Sequence, residues 1–216
     1  MKIALINGSP KRGKSNSGYM LQLLEPLISS GNEIFHYTVN KMTFCDGWCS
    51  ELCHMDTLIF SFPLYIDASP SHLFRTLIKL EERMKAERTV KAEEIYVYAM
   101  INNGFFEGNQ CRVALEILRN WCLRSGLYFG QAICQGAGEM MGSMEKVPLD
   151  HGPLKNLGSA LENLADHIRS HSSEEPVFLS PEFPRFAWRH AATHMFWNTS
   201  AKRNGLKEKD VLKRLL

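Results

Sequence analysis

The 216-residue chain lacks a long apolar run, a strong net charge and an internal repeat. No window approaches the run of about 18 apolar residues that spans a bilayer, and the first residues lack the features of a secretion signal. A formal net charge of +2 creates no field that would attract nucleic acid. Six cysteines without a paired framework fit a reducing compartment. We therefore expect a cytoplasmic chain with no membrane span and no nucleic-acid partner.

Short apolar runs alternate with helical patterns along the first 170 residues. The predicted strands are Lys2–Ile6, Glu33–Val39, Asp56–Phe62, Glu94–Ile101 and Leu127–Cys134. The predicted helices are Ser17–Ser29, Ser71–Lys85, Gln110–Ser125 and Pro153–Ser170. Apolar strands separated by helices indicate a parallel sheet with both faces covered. We expect a doubly wound, three-layer α/β domain with five parallel strands, whose ligand site lies at the carboxyl ends of the strands.

The remainder of the chain has a different character. Prolines interrupt it, and aromatic and basic residues alternate from Phe183 to Arg203. We assign residues 1–172 to the α/β domain and residues 173–216 to a helical C-terminal tail. The tail is not expected to add a sixth strand–helix unit. Because it lacks a long, clean apolar face, we expect it to pack on the core or on a partner subunit rather than on a membrane.

The loop after the first strand, residues 8–17, reads GSPKRGKSNS. A strand, a small-residue loop and a helix direct N–H groups at a phosphate. The loop fits the nucleoside-triphosphate pattern G-x-x-x-x-G-K-[ST], in which Lys14 contacts the outer phosphates and Ser15 holds Mg²⁺. That interpretation also requires an acidic residue at the end of a neighbouring strand, and the third and fourth strands end without one. Pro10 in addition removes an N–H donor from the loop.

Two further loops are expected to meet this one. Residues 61–73 (SFPLYIDASPSHL) follow the third strand, and residues 102–108 (NNGFFEG) follow the fourth. A proline that leaves a strand stiffens the turn, and a nearby aromatic ring can lie against a planar ligand. Asn and Gly tolerate positive φ, which allows close approach of the backbone to a ligand. The amides of Asn102 and Asn103 can donate to the carbonyl groups of such a ligand.

Taken in order, G-S-P-K…S-N-S, F-P-L-Y and N-N-G-F-x-E resemble the NAD(P)H-dependent FMN reductase family, which has a flavodoxin-like fold. The resemblance covers about residues 1–170. It implies an oxidoreductase that passes hydride from NAD(P)H through FMN to a small electron acceptor. The aromatic residues of the tail lead us to expect a homodimer or higher oligomer. The residues implied to hold the FMN phosphate are Ser9, Lys11, Ser15, Asn16 and Ser17. Those implied to line or edge the ring are Pro63, Leu64, Tyr65, Ile66, Asn102, Asn103, Gly104 and Phe105. The alternatives are an FMN-binding electron carrier or sensor and, with less support, a nucleoside-triphosphate enzyme.

Two segments outside these loops carry weaker signals. Cys45, Cys49 and Cys53 recur every four residues, and some relatives of the family are iron–sulfur flavoproteins with a compact four-cysteine cluster. Only three cysteines occur here, at the wrong spacing, so we predict no metal site and a short amphipathic segment with small buried residues. Residues 136–139, GAGE, follow the fifth strand and are expected to approach the ring edge or a neighbouring subunit.

Overall fold

The computed structural model describes residues 1–40, 46–87, 94–142 and 144–213. Its strands are β1 (Lys2–Asn7), β2 (Glu33–Thr38), β3 (Thr57–Pro63), β4 (Tyr96–Asn102), β5 (Tyr128–Gln135) and β6 (Val177–Leu179). They form one sheet in the order β2-β1-β3-β4-β5-β6, and each neighbouring pair is parallel. The α-helices are α1 (Asn16–Ile28), α2 (Asp46–Leu52), α3 (Ser71–Glu87), α4 (Arg112–Ser125), α5 (Gly138–Met141), α6 (Lys155–Ser170), α7 (Arg185–Ala191) and α8 (Asn198–Arg203).

Helices cover both faces of the sheet because successive side chains of a strand point to opposite faces. In β3, Leu58 and Phe60 pack into a core that includes the apolar faces of α3 and α4. Ile59, between them, packs into a second core that includes α1 and α6. All three side chains are fully buried, as expected of a central parallel strand. The predicted three-layer, doubly wound α/β architecture is confirmed.

The prediction of five strands is wrong by one, because a short sixth strand lies at the edge of the sheet. Val177 to Leu179 pairs with the end of β5, and the N–H of Gly136 donates to the carbonyl of Leu179 at 2.8 Å. The strand has only three residues, all half-buried, and prolines stand near both of its ends. Proline is compatible with edge strands, because one side of an edge strand needs no ladder partner.

The chain divides into two compact units, Met1–Pro181 and Glu182–Leu216. The first unit runs nine residues beyond our sequence-based boundary because β6 belongs to its sheet. In the second unit, a six-residue π-helical turn, Ala192–Trp197, joins α7 to α8. Packing of this tail on the core or on a partner subunit stays a prediction. Within the described parts of the chain, no helix is long and apolar enough to cross a membrane.

Candidate functional site

A cleft lies at the carboxyl ends of β1, β3 and β4, where the chain leaves the sheet. The strand order places β1 between β2 and β3, so successive connections leave β1 in opposite directions, which creates a ligand crevice in open α/β sheets. The cleft encloses about 530 Å³, including its open mouth. Its lining residues are Ser9, Lys11, Asn16, Ser17, Pro63, Leu64, Tyr65, Asn102, Asn103, Gly104 and Glu139. Ten of the thirteen residues predicted from sequence are therefore together in one cleft.

Local hydrogen bonds shape the loop after β1. The N–H of Ser9 donates to Oδ1 of Asn7 at 3.0 Å, and the N–H of Lys11 donates to Oγ of Ser9 at 3.3 Å. Ser15 is the N-cap of α1, and its Oγ accepts from the N–H of Gly18 at 3.0 Å. Ser15 therefore supports the helix start and is not part of the cleft lining. The first turn of α1 presents Asn16 and Ser17 to the cleft.

A buried histidine also supports the loop after β1 through a hydrogen bond. His72, in the first turn of α3, is buried, and its Nε2 lies 3.2 Å from the carbonyl oxygen of Gly8. Because a carbonyl oxygen only accepts, Nε2 carries the proton in this contact. The histidine therefore helps to hold the loop after β1 in place.

Asn102 connects three parts of the cleft. Its Nδ2 donates to Oγ of Ser17 at 2.9 Å and to the carbonyl oxygen of Phe62 at 3.2 Å. The side chain is buried. One amide thus links the start of α1, the end of β3 and the end of β4.

Asn103 supports the loop after β4 in a similar way. Its Nδ2 donates to the carbonyl oxygen of Glu107 and to Sγ of Cys111, each at 3.1 Å, and its Oδ1 accepts from the N–H of Phe105 at 2.8 Å. Both amides therefore donate within the protein. This corrects the expectation that the amides of Asn102 and Asn103 donate to a ligand, because protein acceptors already occupy their N–H groups.

The loop after β3 folds back as a tight turn. Tyr65 and Ala68 exchange both backbone hydrogen bonds, at 2.9 and 3.1 Å, and Ile66 and Asp67 between them have φ values of +49° and +60°. Positive φ at both central residues is typical of a type I′ turn. The Ile66 side chain is 99% exposed and lies outside the cleft lining, as does Phe105, which is 55% exposed. Pro63, Leu64 and Tyr65 do line the cleft.

Glu139 is the lining residue that our sequence-based site omitted. It lies in the first turn of the four-residue helix α5, after β5. A Cβ added to Gly104 would lie 3.8 Å from Oε1 of Glu139, so the carboxylate stands beside the loop after β4. The sequence analysis expected the GAGE segment to approach the ring edge or a neighbouring subunit, but it did not indicate which side chain lines the cleft.

The last two residues of the triphosphate pattern, Lys14 and Ser15, lie outside the cleft lining. Nζ of Lys14 lies 3.2 Å from both carboxylate oxygens of Glu145, and its side chain is 88% exposed. Both interpretations of the loop place Ser15 at the phosphate, and Ser15 does not line the cleft. Only the triphosphate interpretation needs Lys14 there, and Lys14 does not line the cleft either, which counts against that interpretation.

The cysteine series lies away from this cleft. Cys49 is buried in α2, and Cys53 follows the helix. Burial, followed by the nearby Glu87 carboxylate, raises the pKa of the Cys53 thiol to about 12, which disfavours the thiolate that a metal requires. Cys45 lies outside the described residues. Across the described ranges, no group of three His, Cys, Asp or Glu side chains could hold a metal ion.

Comparison with known proteins gives similarity at the level of structure. No protein-family model matches the chain, and no curated protein matches its sequence. A solved apo structure of an NADH:FMN oxidoreductase (EMOB) has a TM-score of 0.57 and 19% identity, over 87% of this chain and 98% of that one. The chain has a flavodoxin-like fold.

Two further solved structures agree with this assignment. A flavone reductase has a TM-score of 0.58 and 13% identity, over 81% of this chain and 66% of that chain. An NAD(P)H:quinone oxidoreductase from Methanothermobacter marburgensis has a TM-score of 0.55 and 14% identity, over 76% of this chain and 96% of that one. The described strand order β2-β1-β3-β4-β5 is the order known for flavodoxin-like sheets, here with β6 added at the edge.

Proposed function

We propose that the chain is an FMN-dependent oxidoreductase that passes hydride from NAD(P)H through bound FMN to a small electron acceptor. The proposal rests on one cleft that brings the loop after β1 and the start of α1 together with Pro63, Leu64, Tyr65 and Gly104. We call the first part the phosphate end of the cleft and the second part its ring end. The solved structures with the same fold include enzymes named for FMN and quinone chemistry, which supports the same function here.

The groups at the phosphate end suit a phosphate monoester. Ser17 Oγ accepts from Asn102, so its own hydrogen is left to donate, and Ser9 Oγ likewise accepts from the N–H of Lys11. Lys11 adds a cation, and the first turn of the 13-residue helix α1 adds N–H groups that have no acceptor within the helix. Hydroxyl donors, a cation and a helix N-terminus together match the charge and the acceptors of a terminal phosphate.

The other end of the cleft suits a planar ring. Tyr65 and Leu64 supply apolar surface, and Gly104 has no side chain that would obstruct approach to the loop after β4. Bound FMN would supply the hydride and electron transfer, while the protein positions it and tunes its surroundings. The mouth stays open beside the exposed Tyr65 ring, which gives NAD(P)H and the acceptor a route to the same face.

A matched pair of lysine variants tests the proposed binding mode. Lys11→Ala should weaken FMN binding about tenfold, which corresponds to about 1.4 kcal/mol, and should leave riboflavin binding unchanged because riboflavin has no phosphate. Lys14→Ala is the control, since Lys14 pairs with Glu145 outside the cleft lining. Fluorescence titration of both ligands gives the dissociation constants. FMN binding that depends on Lys14 but not on Lys11 would contradict the proposal, and Mg²⁺-dependent triphosphate binding lost in Lys14→Ala would support the nucleotide interpretation.

Turnover is tested with the FMN-loaded protein. Anaerobic addition of NADPH or NADH should bleach the visible flavin bands, and a quinone added afterwards should restore them. Flavin bands that neither NADPH nor NADH bleaches would make the chain a carrier or sensor rather than a reductase.

The oligomeric state is a separate proposal. Light scattering after size exclusion is expected to give the mass of at least a dimer of the 24.6 kDa chain, and a monomer at micromolar concentration would contradict it.

A further inference from the structure

Many of the hydrogen-bond donors at the ring end of the cleft are used by the protein itself. Backbone N–H groups of all three surrounding loops donate to protein acceptors; they belong to Leu64, Tyr65, Asn103, Phe105 and residues 136–138. The side-chain amides of Asn102 and Asn103 donate to protein acceptors as well. The loops thus stabilise one another, and these N–H groups are not available to a ligand.

The loop after β5 shows how this happens. The N–H of Gly138 donates to the carbonyl oxygen of Asn103 at 2.6 Å, and the N–H of Ala137 donates to the carbonyl oxygen of Phe105. They are the amides of the N-cap residue and of the first residue of α5. Because they bind the loop after β4, these two N–H groups are not available to a ligand.

The charged group that this loop does present to the cleft is negative. Glu139 is the one acidic side chain in the cleft lining, and the described residues offer it no hydrogen bond or ion pair. Its exposed carboxylate stands beside Gly104, so it is not neutralised by the protein. The cation of the cleft, Lys11, belongs to the phosphate loop.

We propose that the ring end of this cleft discriminates against reduced FMN, and that Glu139 is the residue that sets this preference. The inference rests on the proposed FMN function. Two electrons and one proton convert the neutral oxidised ring into an anion, which a nearby carboxylate repels and which donors would have stabilised. The consequence is a reduction potential of bound FMN below that of free FMN, so that the reduced protein is a strong electron donor.

The test compares Glu139→Gln with the FMN-loaded natural protein. Removal of one unit charge from the lining of an open and hydrated cleft should raise the affinity for reduced FMN relative to oxidised FMN about fivefold. For a two-electron couple, where tenfold equals 29.6 mV, fivefold is a rise in midpoint potential of about 20 mV. Slow enzymatic reduction in the presence of a reference dye measures the potential, and fluorescence titration measures oxidised FMN binding independently.

Glu145→Gln is the matched control, because this carboxylate pairs with Lys14 and does not line the cleft. It should leave the potential unchanged. An unchanged potential in Glu139→Gln would overturn the proposal, and so would a potential of the natural protein above that of free FMN. Equal weakening of oxidised and reduced FMN would show that Glu139 instead accepts a hydrogen bond from the ligand, which also overturns it. Failure of the natural protein to bind FMN at all would reject the proposed function itself.

Discussion

Replacement of Asn102 by alanine is the most direct test of how the cleft is held together. Asn102 is buried, and its amide donates at 2.9 Å to Ser17 and at 3.2 Å to the carbonyl of Phe62. Asn102→Ala leaves this buried carbonyl without that donor, at a cost of about 1–3 kcal/mol, and removes about 1 kcal/mol from the contact with Ser17. The free energy of unfolding should therefore fall by about 2–4 kcal/mol.

Urea denaturation followed by circular dichroism measures this change. An m-value of about 2–3 kcal/mol per M turns the expected loss into a fall of about 0.7–2 M in the midpoint. Asn109→Ala is the control, since Asn109 is exposed and its Oδ1 accepts only at the surface, from Arg112. The control should change stability by less than about 0.5 kcal/mol.

Asn102→Asp separates lost hydrogen bonding from lost packing. The carboxylate keeps the shape of the amide but cannot donate, and it faces the carbonyl oxygen of Phe62. It should destabilise at least as much as alanine at neutral pH and recover part of the loss in acid, where its protonated oxygen can donate. An Asn102→Ala midpoint equal to that of Asn109→Ala would refute the role assigned to this amide.

Three further predictions concern single residues. His72→Ala removes the donor to the carbonyl of Gly8 and should weaken FMN binding roughly threefold by fluorescence titration, with Gln at this position restoring part of it. Hydrogen bonds from Arg124 are the main cause that lowers the pKa of Glu81 in the folded protein below its ordinary value of 4.5. The ionised carboxylate therefore stabilises the fold fully above pH 4.5, and this contribution is lost as the pH falls through the lower pKa of the folded state. Urea denaturation across pH should therefore show Glu81→Gln destabilised at pH 7 and equal to the natural protein in strong acid. Ile66→Asn should raise the thermal midpoint by about 2–4 °C, because Asn tolerates the left-handed backbone better than a β-branched residue; a lower midpoint would contradict the strain assigned to this turn.

The central strands were predictable because burial on both faces leaves a continuous apolar run in the sequence. Strand β3, for example, contains Leu58 and Phe60 at positions that face one core and Ile59 at the position that faces the other. Strand β6 was not predictable in this way. Its three residues are only half-buried, and their pairing depends on the end of β5, which is distant in sequence.

The positions of the site loops were predictable for a related reason. Each follows an apolar strand, and parallel strands bring their carboxyl ends to one edge of the sheet. The directions of individual side chains were not predictable, because they depend on contacts between loops. Ser15 caps helix α1, Ile66 is exposed to solvent, and the side-chain amides of Asn102 and Asn103 donate to protein acceptors. No pattern within one loop records those partners.

These observations connect the stability of the cleft to its selectivity. Loops without regular secondary structure must satisfy their own backbone groups, and here they do so largely through one another, as in the bonds from Ala137 and Gly138 to the loop after β4. Each such bond makes the cleft more rigid and removes a donor that a ligand could have used. The electrostatic character of the ring end is then decided by the few side chains that remain, above all Glu139. A single carboxylate can therefore tune the cleft without disturbing the hydrogen bonds that build it, whereas a change at Asn102 must affect both.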